Sequence, residues 1–165
     1  MTYTHLTSTR EGAVERLTLN RPDVRNAFNE HVIAELAAWA AEARAAAERH
    51  DIRAVVIAGA GTVFCAGADV TWMSKALHYT EEENLRDAMA MSRMFAAINE
   101  LPVAVLGRIQ GAALGGGAGL AAVCDIVVAD DAALFGFTET RLGILPAVIS
   151  PFALAKIGQA AAATT

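Results

Sequence analysis

Cysteine is scarce in this chain, aromatic residues are few, and positive charge is in deficit. Cys65 and Cys124 are the only two cysteines, and their separation fits neither a redox pair nor a zinc-ligand motif. Buried, reduced thiols are the expectation. Thirteen Lys and Arg stand against eighteen Asp and Glu, a net charge of −5. That balance speaks against a nucleic-acid partner, which needs a clustered basic face to release counterions, though it leaves room for a local basic pocket around a phosphorylated ligand. No apolar run reaches membrane-span length without charge or paired glycines, and the polar stretch from Met1 to Arg10 lacks an apolar signal core. The reading is a soluble, cytoplasmic protein with no membrane partner. What the chain does have is alanine, within a composition that is 55% hydrophobic. At 165 residues that suffices for one core and one domain, residues 1–165, with no internal repeat and no linker.

Hydrophobic periodicity then orders the chain. Val14 to Leu19 is extended and stops at Asn20-Arg21-Pro22-Asp23, a turn signal. Asn29 is placed to cap a helix over residues 30–49, whose Val32, Ile33, Leu36 and Trp39 recur at helical spacing. Arg53 to Gly59 is a β-branched run that reads as a buried strand. The small, mostly apolar stretch from Ala60 to Ala68 is less polar than an ordinary loop, so it is expected to pack against something. Thr80 to Glu83 matches a capping box and opens a helix to about Asn99, ended by Leu101-Pro102. Val103 to Ile109 is a strand, Gln110 to Gly119 a glycine-rich turn, and Leu120 to Cys124 a short helix. Strands at 125–129 and 133–137 and a helix over 151–163 complete the order. Alternating strands and helices predict an α/β layered fold.

Three segments suit chemistry. Phe64-Cys-Ala-Gly-Ala-Asp69 follows a strand, and its small side chains let a ligand approach backbone amides, as an oxyanion hole requires. A tight loop would also favour small residues. Gly111 to Gly119 combines glycines with a helix start, where free amides favour an anion; close helix–strand packing would favour the same glycines. Gly117, Gly119 and Ala122 also fit the dinucleotide pattern G-x-G-x-x-A, with Glu139 twenty residues beyond Gly119. The context argues against that reading, because the helix is too short for a crossover and Glu139 lies past the next strand. Third, Glu139 sits among Phe, Leu and Gly, a setting for acid–base work; an exposed carboxylate paired with Arg141 is the plainer alternative. Two amide-bearing loops and one carboxylate together form a kit for enolate chemistry beside a carbonyl.

In its motifs the chain resembles the crotonase superfamily, the enoyl-CoA hydratase/isomerase family. Leu19-Asn-Arg-Pro22 with Asn26-Ala-Phe28, Phe64 to Asp69, Gly111 to Gly117, and Cys124-Asp-Ile126 match four family segments in order and spacing. The resemblance implies the crotonase (ClpP-like) fold of stacked ββα units. It also implies an acyl-CoA thioester as substrate, with coenzyme A part of that substrate, no separate cofactor and no metal. The thioester oxygen would accept from the amides of Ala68 and Gly116, with Glu139 moving protons. The CoA-binding positions would be Val24, Arg25, Ala27, Ala66, Asp69 and Val70, Arg25 supplying local positive charge. Full-length members of such a family would form a homotrimer or a dimer of trimers.

Two departures qualify this. Hydratases of the family use a second glutamate at the position occupied here by Gly119. Either Glu139 serves both proton transfers, or another side chain helps, or the chain is a Δ3-Δ2 enoyl-CoA isomerase, for which one base suffices. The pattern of residues 67–73, 83–85, 115–120 and 139–151 resembles bacterial methylglutaconyl-CoA hydratases of leucine degradation. The chain also stops soon after Lys156-Ile-Gly158, where the family continues through further helices. The expectation is therefore a core lacking the C-terminal helical region, with an inactive, truncated binding module as a third reading.

Overall fold

The computed structural model describes residues 2–162, without the side chains of Arg141, Leu142 and Ala162. β1 (Leu6–Glu11) and β2 (Val14–Leu19) form an antiparallel hairpin that pairs Leu6 with Leu19 and Glu11 with Val14. β3 (Ala54–Gly59), β4 (Ala104–Ile109) and β6 (Ile126–Ala129) extend the sheet in parallel, in the order β1-β2-β3-β4-β6. Parallel neighbours need a crossover. Here α1 (Glu30–Glu48) links β2 to β3, while α2 (Val70–Ala76) and α3 (Glu81–Asn99) link β3 to β4.

The core follows from side-chain period. Leu17 and Leu19 on β2, Val55 and Ile57 on β3, and Val105 and Ile109 on β4 are buried at alternate positions. α1 covers this face with Val32, Ile33, Leu36, Trp39, Ala40 and Ala43, and α3 adds Met94, Phe95 and Ile98. Glu15, buried at 6% exposure, is satisfied by Trp39 Nε1 at 2.7 Å and Ser8 Oγ at 2.9 Å. Both helix starts read from the sequence are present. The Asn29 side chain accepts from the Val32 amide, and Thr80 and Glu83 form the reciprocal box.

Four features differ from expectation. β1 was not anticipated in the polar N-terminal stretch; it is an edge strand in which only Leu6 is buried. α2 was missed as well, although Asp69 caps it by accepting from Thr71 N and Trp72 N. Residues 110–119 are not one turn. They hold a short strand, β5 (Ala112–Leu114), and α4 (Gly116–Ala122) begins at its first paired glycine, not at Leu120. The last helix, α5 (Ser150–Ala162), is broken at Gly158 (φ 77°, ψ 161°), and the expected extension to Ala163 falls outside the described residues.

β5 pairs in parallel with β7 (Leu134–Gly136), forming a second, smaller sheet. The segment before Ala68 joins it: Cys65 N donates to Ala112 O and Leu114 N to Cys65 O, both at 3.0 Å. Phe28 attaches on the other side through an isolated bridge to Ala68. Four chain segments from distant parts of the sequence thus run side by side, and this layer brings the candidate residues together.

Candidate active site

Phe28 clamps the two amide-bearing segments. Its N–H donates to Gly67 O at 2.7 Å and its C=O accepts from Asp69 N at 2.8 Å, so its backbone brackets Ala68. Its ring lies over α4: a Cβ placed on Gly116 would come within 3.1 Å of Phe28 Cδ2 and 2.9 Å of Met91 Cε. Gly67 itself abuts the α4 entry, where an added Cβ would sit 3.1 Å from Leu114 O and 3.9 Å from Gly115 Cα. Among the described residues, the amides of Ala68 and Gly116 donate to no protein acceptor. For Gly116 the reason is general, since the first amides of a helix have no partner within it.

Glu139 lies in a short 3-10 turn, Thr138–Leu142, after β7. It folds back over Gly115, whose missing Cβ would be 3.0 Å from Glu139 Oε1. Gly115 is therefore required twice, by that close approach and by its positive φ of 49°. Among the described residues, Glu139 Oε2 is buried with no hydrogen-bond partner, an arrangement that is costly unless function uses it. The alternative partner, Arg141, has its side chain outside the described residues.

Ala66, Ala68, Val70, Gly116 and Glu139 all line one cavity of about 820 Å³, within the range of small-molecule sites. Trp72, Asp87, Met91 and the segment Ile144–Ile149 complete much of its wall. Val24, Arg25, Ala27 and Asp69, the other expected binding positions, do not line it. Val24 and Arg25 are exposed beside it, and Arg25 O accepts from Ala66 N at 3.0 Å. Ala27 is buried at the same turn. Asp69 is occupied: Oδ1 takes the α2 amides, and Oδ2 takes Arg21 Nη2 at 3.0 Å. Burial by itself would push the Asp69 carboxyl up, but the bonds from Arg21, Thr71 and Trp72 and the Arg21 charge outweigh it and hold the carboxyl below the usual aspartate range.

Three residues of the site went unassigned in the sequence. Arg21 ties the first segment to the loop, donating to Ala27 O as well as Asp69. Asn26 is 1% exposed and fully used: it accepts from Arg21 N and donates to Ala60 O and Val63 O, all at 2.8–2.9 Å. Its φ of 55° explains the residue type, because asparagine tolerates the left-handed region better than most. Asp87, a carboxyl from α3 on the cavity wall, is the third; burial, then the charge of Glu30, raise it above the usual range.

At Gly119 the space toward the cavity wall is already filled. A Cβ there would lie 2.6 Å from Ile149 Cγ2 and 3.0 Å from Phe95 Cζ, so packed apolar groups fill the space of any side chain. The dinucleotide reading fails with it. Gly117 and Gly119 are buried against Cys65, Phe95 and Ile149, and Glu139 belongs to the cavity.

Residues 9–165 match the family model described as enoyl-CoA hydratase/isomerase. The chain belongs to that family. An enoyl-CoA hydratase crystal structure from Shewanella pealeana superposes with a TM-score of 0.92 at 34% identity, covering 98% of this chain and 60% of that one. Pseudomonas aeruginosa AtuE gives 0.92 at 37% identity, over 98% and 61%. The enoyl-CoA hydratase AKT6-1 of Alternaria alternata is 31% identical over 149 residues, 90% of this chain and 47% of the relative. The fold is therefore the α/β crotonase fold. The chain spans roughly half the length of the curated relatives it matches. Among the described residues, no helix is long and apolar enough to cross a membrane, and no three His, Cys, Asp or Glu side chains are grouped to hold a metal ion.

Proposed function

We propose that this family member hydrates the α,β double bond of an acyl-CoA thioester. One observation supports the reading: Ala68 and Gly116, whose amides have no acceptor among the described residues, line the same cavity as Glu139, whose Oε2 has no partner among them. A thioester oxygen seated between the amides gains charge as the enolate forms, and fixed donors in a water-poor cleft stabilise that charge. Glu139, packed over Gly115, stands beside the α-carbon and delivers its proton. CoA would leave the cavity past Ala66 and the exposed turn at Val24 and Arg25. The pattern of residues 67–73 and 139–151 supports a branched substrate, methylglutaconyl-CoA in leucine degradation. The exposed apolar side chains of β6 and β7, Ile126, Val128, Leu134 and Phe135, support assembly as a homotrimer or dimer of trimers, which sedimentation velocity tests.

Loss of enoyl-thioester absorbance with crotonyl-CoA and methylglutaconyl-CoA measures the activity. Glu139→Gln is expected to lower turnover about 10²–10⁴-fold with CoA binding kept; a loss under about tenfold removes Glu139 from the reaction. Gly119, walled in by Ile149 and Phe95, favours a second reading as a Δ3-Δ2 enoyl-CoA isomerase with Glu139 as its single base. A 3-enoyl-CoA that yields conjugated product, with no solvent oxygen at the β-carbon, would decide for it.

A further inference from the structure

Adding water across a double bond needs a group to take a proton from the water and another to protonate the α-carbon. The position that supplies the second carboxylate in the resemblance is closed here, because Ile149 and Phe95 occupy the space beyond Gly119. A replacement has to reach the cavity from another element. Asp87 does so from α3.

Its placement follows from helix geometry. Asp87 and Met91 are four residues apart and share one face of α3. Met91 touches the Gly116 end of α4, so Asp87 stands one turn further along, about 6 Å of helix rise from that contact. Glu139 reaches the same cavity from another element, over Gly115 at the start of α4. Both carboxyl-bearing residues therefore line one cavity, Glu139 beside Gly115 and Asp87 one turn of α3 from the Met91–Gly116 contact. Among the described residues, no hydrogen bond or ion pair engages the Asp87 side chain. Its raised proton affinity, due to burial first and Glu30 second, is what proton exchange at such a site needs.

Resting on the hydratase reading, we infer that Asp87 is the second catalytic carboxylate and the base that activates the water. In that step the water oxygen forms the bond to the β-carbon and its proton passes to the Asp87 carboxylate. The π pair of the double bond moves onto the thioester as an enolate held by the Ala68 and Gly116 amides. Protonated Glu139 then gives its proton to the α-carbon as the thioester carbonyl re-forms. H and OH have been added, and loss of a proton from Asp87 and gain of one by Glu139, through solvent, restores both groups.

The test compares two reactions in the same chain: hydration of crotonyl-CoA, which needs both carboxylates, and isomerisation of a 3-enoyl-CoA, which needs only Glu139. Asp87→Asn is expected to slow hydration about 10²-fold or more and isomerisation far less, so the ratio of the two rates shifts. Glu139→Gln is expected to lower both. Asp87→Ser provides a second variant, confirmed as folded by circular dichroism, whose hydration rate added formate should restore in part. A loss of hydration below about tenfold in both Asp87 variants, less than general base catalysis is worth, overturns the assignment while leaving the hydratase reading intact. A wild-type chain that isomerises but never hydrates overturns both.

Discussion

The loop carrying Ala68 and the helix start carrying Gly116 both line the cavity, each with one amide that has no acceptor among the described residues, and they are held by different means. The first is pinned by polar side chains: Asn26 bridges three backbone groups, and Arg21 and Asp69 close an ion pair across it. Among the described residues, the second has no such pins. It is held by the absence of side chains, with Gly116 against Phe28 and Met91, Gly117 against Cys65, and Gly119 against Ile149. Hydrogen bonds can be weakened by degrees, by pH or by a conservative change. A wall built on missing Cβ atoms tolerates almost no change, because even one methyl group meets filled space.

Several changes would break or sharpen this contrast. The largest effect is expected from Gly116→Pro. Proline has no N–H, so turnover should fall about 10²–10³-fold, and its ring carbons would meet Phe28 and Met91, so the melting temperature should fall as well. Gly116→Ala adds the same Cβ but keeps the amide, and should lower the melting temperature with the smaller loss of turnover. An equal loss of turnover in Gly116→Ala and Gly116→Pro would mean the glycine's role is packing alone. Next comes Gly117→Ala. The new Cβ would lie 2.6 Å from the Cys65 carbonyl oxygen, a backbone atom with nowhere to go, and overpacking of this kind costs about 3 kcal/mol, read by urea denaturation. Asn26→Ala on the pinned side leaves two carbonyls and one amide without partners, for a cost of about 2 kcal/mol; an equal or larger loss than Gly117→Ala would invert the contrast.

The smallest effect is expected from acid. The Asp69 carboxyl is depressed in the folded state. Its contribution is therefore complete above the unfolded value, about 3.9, and disappears as pH falls through the folded value. Asp69→Asn should destabilise the protein by about 1 kcal/mol at neutral pH, and the gap to wild type should close below pH about 4. A gap that persists in acid would mean the carboxylate's charge is not what pins the loop.

The same division explains what could be read from the sequence. Elements with strong local signals were legible: α1 from Asn29 and its apolar stripe, α3 from the Thr80–Glu83 box, and β2, β3 and β4 from short β-branched runs. α2 carried a readable signal in Asp69, which was instead assigned to substrate. β5 and the start of α4 were not legible, because glycine and alanine have little preference of their own. Only Cys65 on one side and β7 on the other make Ala112–Leu114 a strand. At the site, Ala68 and Gly116 were assigned through the family resemblance and Glu139 through its apolar setting and that resemblance, and one cavity unites them. Arg21, Asn26 and Asp87 were not, since their importance depends on contacts with residues 34 to 48 positions away or on the wall they share.

The two thiols offer a natural clock for how the molecule opens. Cys65 and Cys124 are fully covered, and burial pushes both up to about 12, so neither supplies thiolate to an alkylating reagent while its surroundings stay closed. Cys65 lies between the pinned loop and the glycine helix start, and Cys124 lies against Gly107 of β4 in the main sheet. The order in which iodoacetamide marks them, followed by mass spectrometry in native buffer, reports whether the small layer around the cavity breathes before the large sheet does.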